Sequence, residues 1–437
     1  MRVCLLIHEL GRSGGVSTIL RYARALDGAE PGAGAELVVT DPRAGELPAE
    51  HGGVPVRRLA DAAGERYDVA VATWWATVAA LWRVDAARRL VFLQSVESRF
   101  YEERHFHERL AAEQVLALPV GYVTVARWIG DLLAALRPDA PCAVVRNGID
   151  KDVFRPPAAA AGPPPGGPLR VLVEGQPSLW FKGVQDGVAA VRAMSEPVEA
   201  TVVASDPAAA GALEGMRVVG GLDPAGMAAL YSEHDVLLKL SRVEGLPLPP
   251  IEAFHVGVPA VLAPFGGHDE YLDHGRNGLV AGHDDLPGTA RALDGLARDR
   301  GRLAELSAGA LATAAGWPSA DEAAAKFVSA VERLAAGPEP DPAAALAALQ
   351  AAQTRRLELT REHVRQQEAV ASGLRGAVRW HEDALAQARD HVEELNERLR
   401  EADRLARDLH GQIEAIKATR AYRAATAARR LKPGGGG

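Results

Sequence analysis

The segment Ser241-Arg242-Val243-Glu244-Gly245-Leu246-Pro247-Leu248-Pro249-Pro250-Ile251-Glu252-Ala253 joins a short apolar run, residues 236–240, to an apolar helix-like run around Glu252. The apolar run is continuous rather than alternating, which reads as a strand buried on both faces. Two glutamates eight residues apart then fall one on the loop after that strand and one in the following helix. Two accounts fit the spacing: acids gathered at a helix N-terminus, where the helix dipole favours negative charge, or two carboxylates turned toward one ligand.

The same strand–loop–helix pattern extends both ways along the chain. Apolar runs at residues 170–173, 200–204, 216–219 and 260–263 share the half that contains the quoted segment, and runs at 3–7, 37–40, 69–73, 90–93, 122–125 and 143–145 make up the other. Buried strands alternating with helices predict an α/β fold of two Rossmann-like, doubly wound lobes, with a ligand cleft at the carboxyl ends of the strands. The predicted division is a first lobe over residues 1–155, a Pro/Ala/Gly linker over 156–168, a second lobe over 169–335, a helical segment over 345–420 and a basic tail over 421–437. In the helical segment Leu385, Ala388, Val392, Leu395, Leu399, Ala402, Ala406, Leu409, Ile413 and Ile416 recur at alternating spacings of three and four among charged residues. That heptad seam predicts a coiled coil, closed by a second copy, by a partner protein or by folding back on itself.

A chain of 437 residues is long enough for two cores, and its net charge of -8 argues against a protein that grips a nucleic-acid backbone. Cys4 and Cys142, the two cysteines, both lie in runs read as buried strands and do not form a disulfide framework. No apolar run approaches the twenty residues needed to span a bilayer. The N-terminal run at 3–7 is too short for a secretory signal. A cytoplasmic protein is expected, and the basic tail offers peripheral contact with the inner face of the plasma membrane.

After Glu252 come Gly257-Val258-Pro259-Ala260-Val261, Gly266-Gly267-His268-Asp269-Glu270 and Gly275-Arg276-Asn277-Gly278. This run resembles the donor-binding half of the GT-B glycosyltransferases, in particular the large retaining family 4, with its E-x7-E pair, G-x-P-V strand and Gly-Gly turn. The resemblance implies transfer of a hexose or deoxyhexose from a nucleotide-diphosphate sugar to a glycan or lipid-linked acceptor, the setting being cell-envelope polysaccharide synthesis. No metal or other cofactor is expected. Asp150-Lys151-Asp152 reads as a turn after Asn147-Gly148 rather than as a metal motif. The resemblance gives Glu244 the transferred sugar and Glu252 the ribose hydroxyls. It places Gly245, Leu246, Gly266 and Gly267 around the donor, and Lys182 at the diphosphate after the turn Gly175-Gln176. Gln176 stands where the family usually carries Arg, so one expected phosphate cation is missing; the variant is similar to a rhamnosyltransferase-like subset.

In the first lobe, Gly14 and Gly15 belong to a glycine-rich loop opening a helix, whose amides suit phosphate or sugar oxygens. Gln94, Glu97 and Trp74 follow strand ends and are read as acceptor-side residues, Trp74 equally as core. Two rival functions use the same features differently. A glycosidase also needs paired carboxylates, but has no use for a diphosphate lysine. A scaffold with a degenerate transferase lobe would act through the coiled coil alone.

Overall fold

The computed structural model describes residues 1–11, 14–28, 34–157, 167–206, 213, 216–337 and 342–418. Most of the predicted linker, Arg12 and Ser13 of the glycine-rich loop, and the whole of the predicted basic tail lie outside the described residues. Two compact units emerge, the first over residues 1–357 and the second from 358 onward.

The first unit is α/β and contains two sheets. Strands β1 (Arg2–Ile7), β2 (Gly34–Val39), β3 (Glu50–His51), β4 (Val54–Arg58), β5 (Arg66–Ala72), β6 (Asp85–Leu93), β7 (Gly121–Thr124) and β8 (Cys142–Val144) form the first, in the order β3-β4-β2-β1-β5-β6-β7-β8. Every pairing is parallel except the short β3–β4 hairpin. The second sheet is parallel throughout and runs β11-β10-β9-β12-β13-β14, with β9 (Leu169–Glu174), β10 (Val198–Ala204), β11 (Arg217–Gly220), β12 (Val236–Lys239), β13 (Ala260–Leu262) and β14 (Gly278–Val280). Central strands such as β1 and β12 are buried along nearly their whole length, as their unbroken apolar runs require when helices cover both faces.

Helices α1 (Gly14–Asp27), α2 (Leu59–Ala62), α3 (Phe106–Gln114) and α4 (Arg127–Leu136) accompany the first sheet. Helices α5 (Val184–Arg192), α6 (Pro224–Ser232), α7 (Leu248–Val256), α8 (Leu286–Arg298) and α9 (Arg300–Ala315) accompany the second. The helix that follows, α10 (Ala320–Ala336), departs from expectation. Residues up to 335 read as second lobe, yet α10 packs on the first: Phe327 stacks on Tyr22 of α1 at 4.2 Å and meets Phe92 of β6 edge-on at 5.3 Å. Its apolar face, Ala323, Phe327, Ala330 and Val331, is fully buried there. The periodicity of a helix shows that it has an apolar face, but not which lobe that face seeks.

Two smaller readings also change. Cys142 is exposed, not buried, because β8 is an edge strand whose residues alternate out, in, out. The hairpin of β3 and β4 was not read from the sequence, since its two-residue first strand is too short for a hydrophobic pattern.

The second unit belongs to the helix α11 (Pro342–Ala418), 77 residues long. Leu385, Val392, Leu395, Leu399, Leu409 and Ile413 of the predicted seam are exposed along it. No described helix is long and apolar enough to cross a membrane.

Candidate functional site

A cavity of about 840 Å³ opens where the carboxyl ends of strands from both sheets meet: Ile7 of β1, Thr73 after β5, Gln94 after β6, Glu174 of β9 and Lys239 of β12 all line it. Parallel sheets with helices on both faces put their variable loops at this edge, which is why the cleft forms here. The lobes touch at one rim through glycine. A Cβ on Gly245 would overlap the carbonyl oxygen of Gln94 and stand 3.2 Å from Cα of Ser95. The indole N–H of Trp128, on α4, donates to the Gly245 carbonyl at 2.7 Å, and Arg146 pairs with Glu270 at 3.0 Å.

At the floor of the cavity four charges share one cluster. Glu244 sits on the loop after β12 with Lys182 Nζ and Lys239 Nζ each 2.9 Å from its Oε1, and Lys239 also pairs with Glu174. Two glycines bring Lys182 there. A Cβ on Gly183 (φ +62°) would overlap the Leu240 carbonyl, and one on Gly175 (φ +146°) would stand 3.1 Å from Cβ of Lys182. Neither position accepts a side chain without displacing the lysine loop. Lys239 is 1% exposed and Glu244 7%. Burial opposes ionisation of Glu244, but the two lysines outweigh it and hold its carboxyl down at about 2. Burial likewise opposes the charge on Lys239, and Glu174 and Glu244 outweigh it, so its pKa is raised. The Glu244 carboxylate and the Lys239 ammonium group therefore stay charged across the physiological range.

The first-lobe wall has a different character. Glu97 is buried and accepts a hydrogen bond from the backbone N–H of Trp75 at 2.6 Å; burial pushes its carboxyl up to about 8, so it is neutral at pH 7. The hydroxyl of Ser95, buried beside it, has no hydrogen-bond partner among the described residues. Aromatic rings rise from this floor: Trp74 stacks on Phe100 at 6.0 Å, and Trp75 donates its indole N–H to the Tyr101 hydroxyl at 2.7 Å. Phe100 in turn meets Phe181 of the lysine loop at 4.8 Å, so the wall is continuous across the lobes.

Of the residues singled out in the sequence, Glu244, Lys182, Gly14, Gly15, Gly245, Leu246, Gln94, Glu97 and Trp74 come together around this cavity. Five others do not line it. Glu252, on α7, is half-buried and accepts a hydrogen bond from Tyr231 at 3.0 Å; burial, with the charge of Glu174 adding to it, pushes its carboxyl up to about 7. The Gln176 side chain binds the loop after β10 instead, accepting from Ser205 Oγ at 2.9 Å and Asp206 N at 3.0 Å. Gly175 supports the lysine loop from behind. Gly266 and Gly267 lie against the Trp128 indole, where a Cβ on either would approach within 2.9 Å. Asp150 is a turn residue whose carboxylate accepts from the N–H groups of Asp152 and Val153.

Sequence reasoning missed Glu174, Lys239 and the interlobe Trp128. For the first two a signal existed: a lysine inside the run Val236-Leu237-Leu238-Lys239-Leu240 and a glutamate ending Val171-Leu172-Val173-Glu174 are charges in buried strands, and such charges need partners. Trp128 carried no signal, because its contact is with the other lobe.

Residues 170–299 match the family Glycosyl transferases group 1. Within the known proteins, the D-inositol 3-phosphate glycosyltransferase of Stackebrandtia nassauensis is 36% identical over 121 residues, 27% of each chain. The lipopolysaccharide core biosynthesis mannosyltransferase LpsB of Rhizobium meliloti is 37% identical over 84 residues, 19% of this chain and 24% of that one. The chain thus spans about a quarter of the length of the curated relatives it matches. Among solved structures, HepE of Anabaena in complex with UDP and glucose superposes with a TM-score of 0.61 at 16% identity, covering 76% of this chain and 100% of that one. The two-lobed architecture is the GT-B fold, and its second lobe carries the match to glycosyl transferases group 1.

Proposed function

We propose that this chain is a retaining glycosyltransferase of family 4 that moves a hexose or deoxyhexose from a nucleotide-diphosphate sugar to a glycan or lipid-linked acceptor. The observation that carries the reading is the pairing of Lys182 with an ionised Glu244 on the cavity floor. As the sugar leaves the diphosphate, negative charge grows on phosphate oxygens, and a lysine at the cavity wall stabilises that charge as it develops. Glu244, held as carboxylate, accepts hydrogen bonds from hydroxyls of the transferred sugar. For Glu252 the ribose role requires its carboxylate to exchange the Tyr231 hydroxyl for ribose hydroxyls.

The first-lobe wall suits the acceptor. Trp74 and Phe100 offer ring faces for a sugar, while the neutral Glu97 and the unpartnered Ser95 hydroxyl offer hydrogen bonds to its hydroxyl groups. No step in this scheme uses a metal. Cell-envelope polysaccharide synthesis in the cytoplasm is the setting we propose, consistent with the LpsB relative, and a rhamnosyltransferase-like donor is the finer proposal for a chain with Gln176 in place of Arg. The exposed seam of α11 favours pairing with a second copy or a partner as a coiled coil. Contact of the tail with the membrane is part of the proposal, tested by pelleting with anionic vesicles at low salt.

Calorimetric titration against a panel of nucleoside diphosphates and their sugars tests the function. One member of the panel is expected to bind the wild type and to lose at least about tenfold in affinity in Lys182→Ala, since hydrogen bonds to charged groups contribute about 1.5–3 kcal/mol. Glu244→Ala is expected to abolish turnover. If no member binds, the chain is a scaffold acting through α11.

A further inference from the structure

The cluster of Glu174, Lys182, Lys239 and Glu244 is electrically balanced: two carboxylates and two ammonium groups. Its members are not equivalent. Lys239 is enclosed at the end of a central strand, between Glu174 and Glu244, whereas the side chain of Lys182 is 23% exposed on a loop facing the cavity. Both lysines reach the same oxygen of Glu244. An arriving diphosphate competes with Glu244 for Lys182. Were Lys182 the sole partner, its departure would leave a buried carboxylate without a counter-ion, a state that strongly opposes the exchange.

We propose that Lys239 is the standing counter-ion of Glu244, a positioning residue that keeps this carboxylate paired and so frees Lys182 to transfer to the diphosphate of the donor. This rests on the donor reading above, and it assigns a role to a residue that the motif resemblance left unused. Glu174 completes the arrangement by anchoring Lys239 from its other side, so that Lys239 itself does not swing toward phosphate. The exchange is one of ion pairs only. No bond is made or broken, and the site takes up the charge of the diphosphate on one mobile cation while the fixed pair stays intact.

The test uses the full chain and inorganic pyrophosphate as the probe, measured by calorimetry. Lys239→Met alone would leave Glu174 without its lysine and the cluster with a net negative charge, which endangers folding, so the variant is Glu174→Gln with Lys239→Met, which keeps the cluster neutral; Glu174→Gln alone is its control. Affinity is expected to fall about tenfold in the double variant, because Lys182 is then the only partner of Glu244 and is held there. In a Glu244→Gln background the same double change is expected to have no effect, since nothing remains to hold Lys182. A loss of equal size in both backgrounds would mean that Lys239 touches phosphate directly, and no loss in either would mean that it serves only the fold; both overturn the proposal.

A second readout needs no ligand. Glu244 is faced by Lys182, Lys239 and Tyr271, with Glu174 beyond Lys239. Its carboxyl carbon, assigned in NMR spectra by its absence from Glu244→Gln, is expected to titrate about a pH unit higher in the double variant. An unchanged titration would sink the proposal even if pyrophosphate binds. Failure of the wild type to bind pyrophosphate or any nucleoside diphosphate would instead remove the donor reading, and the titration would still decide the counter-ion.

Discussion

Glu97 shows how a single residue links burial to a measurable pH dependence. Its carboxyl is raised from an ordinary 4.5 to about 8. Between those values the unfolded chain has released a proton that the folded chain keeps, so the folded state binds more protons and stability falls as pH rises across the window. Glu97→Gln lacks this loss. Melting temperatures of the two proteins are therefore expected to diverge from pH 4.5 to 8 in favour of the variant; parallel curves would show that Glu97 ionises normally. Glu244 behaves in the opposite sense: with its carboxyl held near 2, it contributes stability above its ordinary pH range that is lost only as pH falls toward 2. Gly245 marks the close approach of the lobes. Gly245→Ala would collide with the Gln94 carbonyl and open the rim, so donor affinity is expected to fall while the melting temperature changes little, as calorimetry and a thermal scan would show together.

Among the elements, α10 has the most to say. It follows the second lobe in sequence, and its first residues are tied to the segment after β8, with Ala320 N donating to the Ile149 carbonyl at 2.8 Å. It then runs onto the first lobe, where Phe327 packs against both Tyr22 and Phe92, which also meet each other at 5.7 Å. Phe327→Ala removes a fully buried ring and is expected to cost about 3–5 kcal/mol of stability, seen as a lower denaturation midpoint. A loss under about 1 kcal/mol would mean that α10 is not held this way. The strand β12 makes a related point: its apolar run was legible as a buried strand, yet that same reading passed over Lys239. A lysine in such a strand is tolerated because Glu174 of the neighbouring β9 and Glu244 of the following loop meet it, and the sequence does not tell which strands are neighbours.

At the scale of the whole molecule, one unit carries the cleft and the other is a helix with an apolar seam open along one face. Leu395→Asp with Leu399→Asp places charge in that seam. If the seam pairs with a second copy, light scattering is expected to report a dimer for the wild type and a monomer for the variant, with nucleotide affinity unchanged; a wild-type monomer would mean that the seam serves a different partner. What the sequence alone determined is what periodicity and local chemistry carry: buried strands between helices, two lobes, the heptad seam, and the loop residues Glu244, Gly245 and Lys182, whose placement after strands leads them to the cleft. What only the tertiary structure decided depends on contacts between distant segments: α10 packed on the other lobe, Trp128 reaching Gly245, Gln176 and Glu252 engaged away from the cavity, and Lys239 paired with two carboxylates. Those are facts about which strand lies beside which, and strand order is set by the packing of the whole sheet rather than by any residue within it.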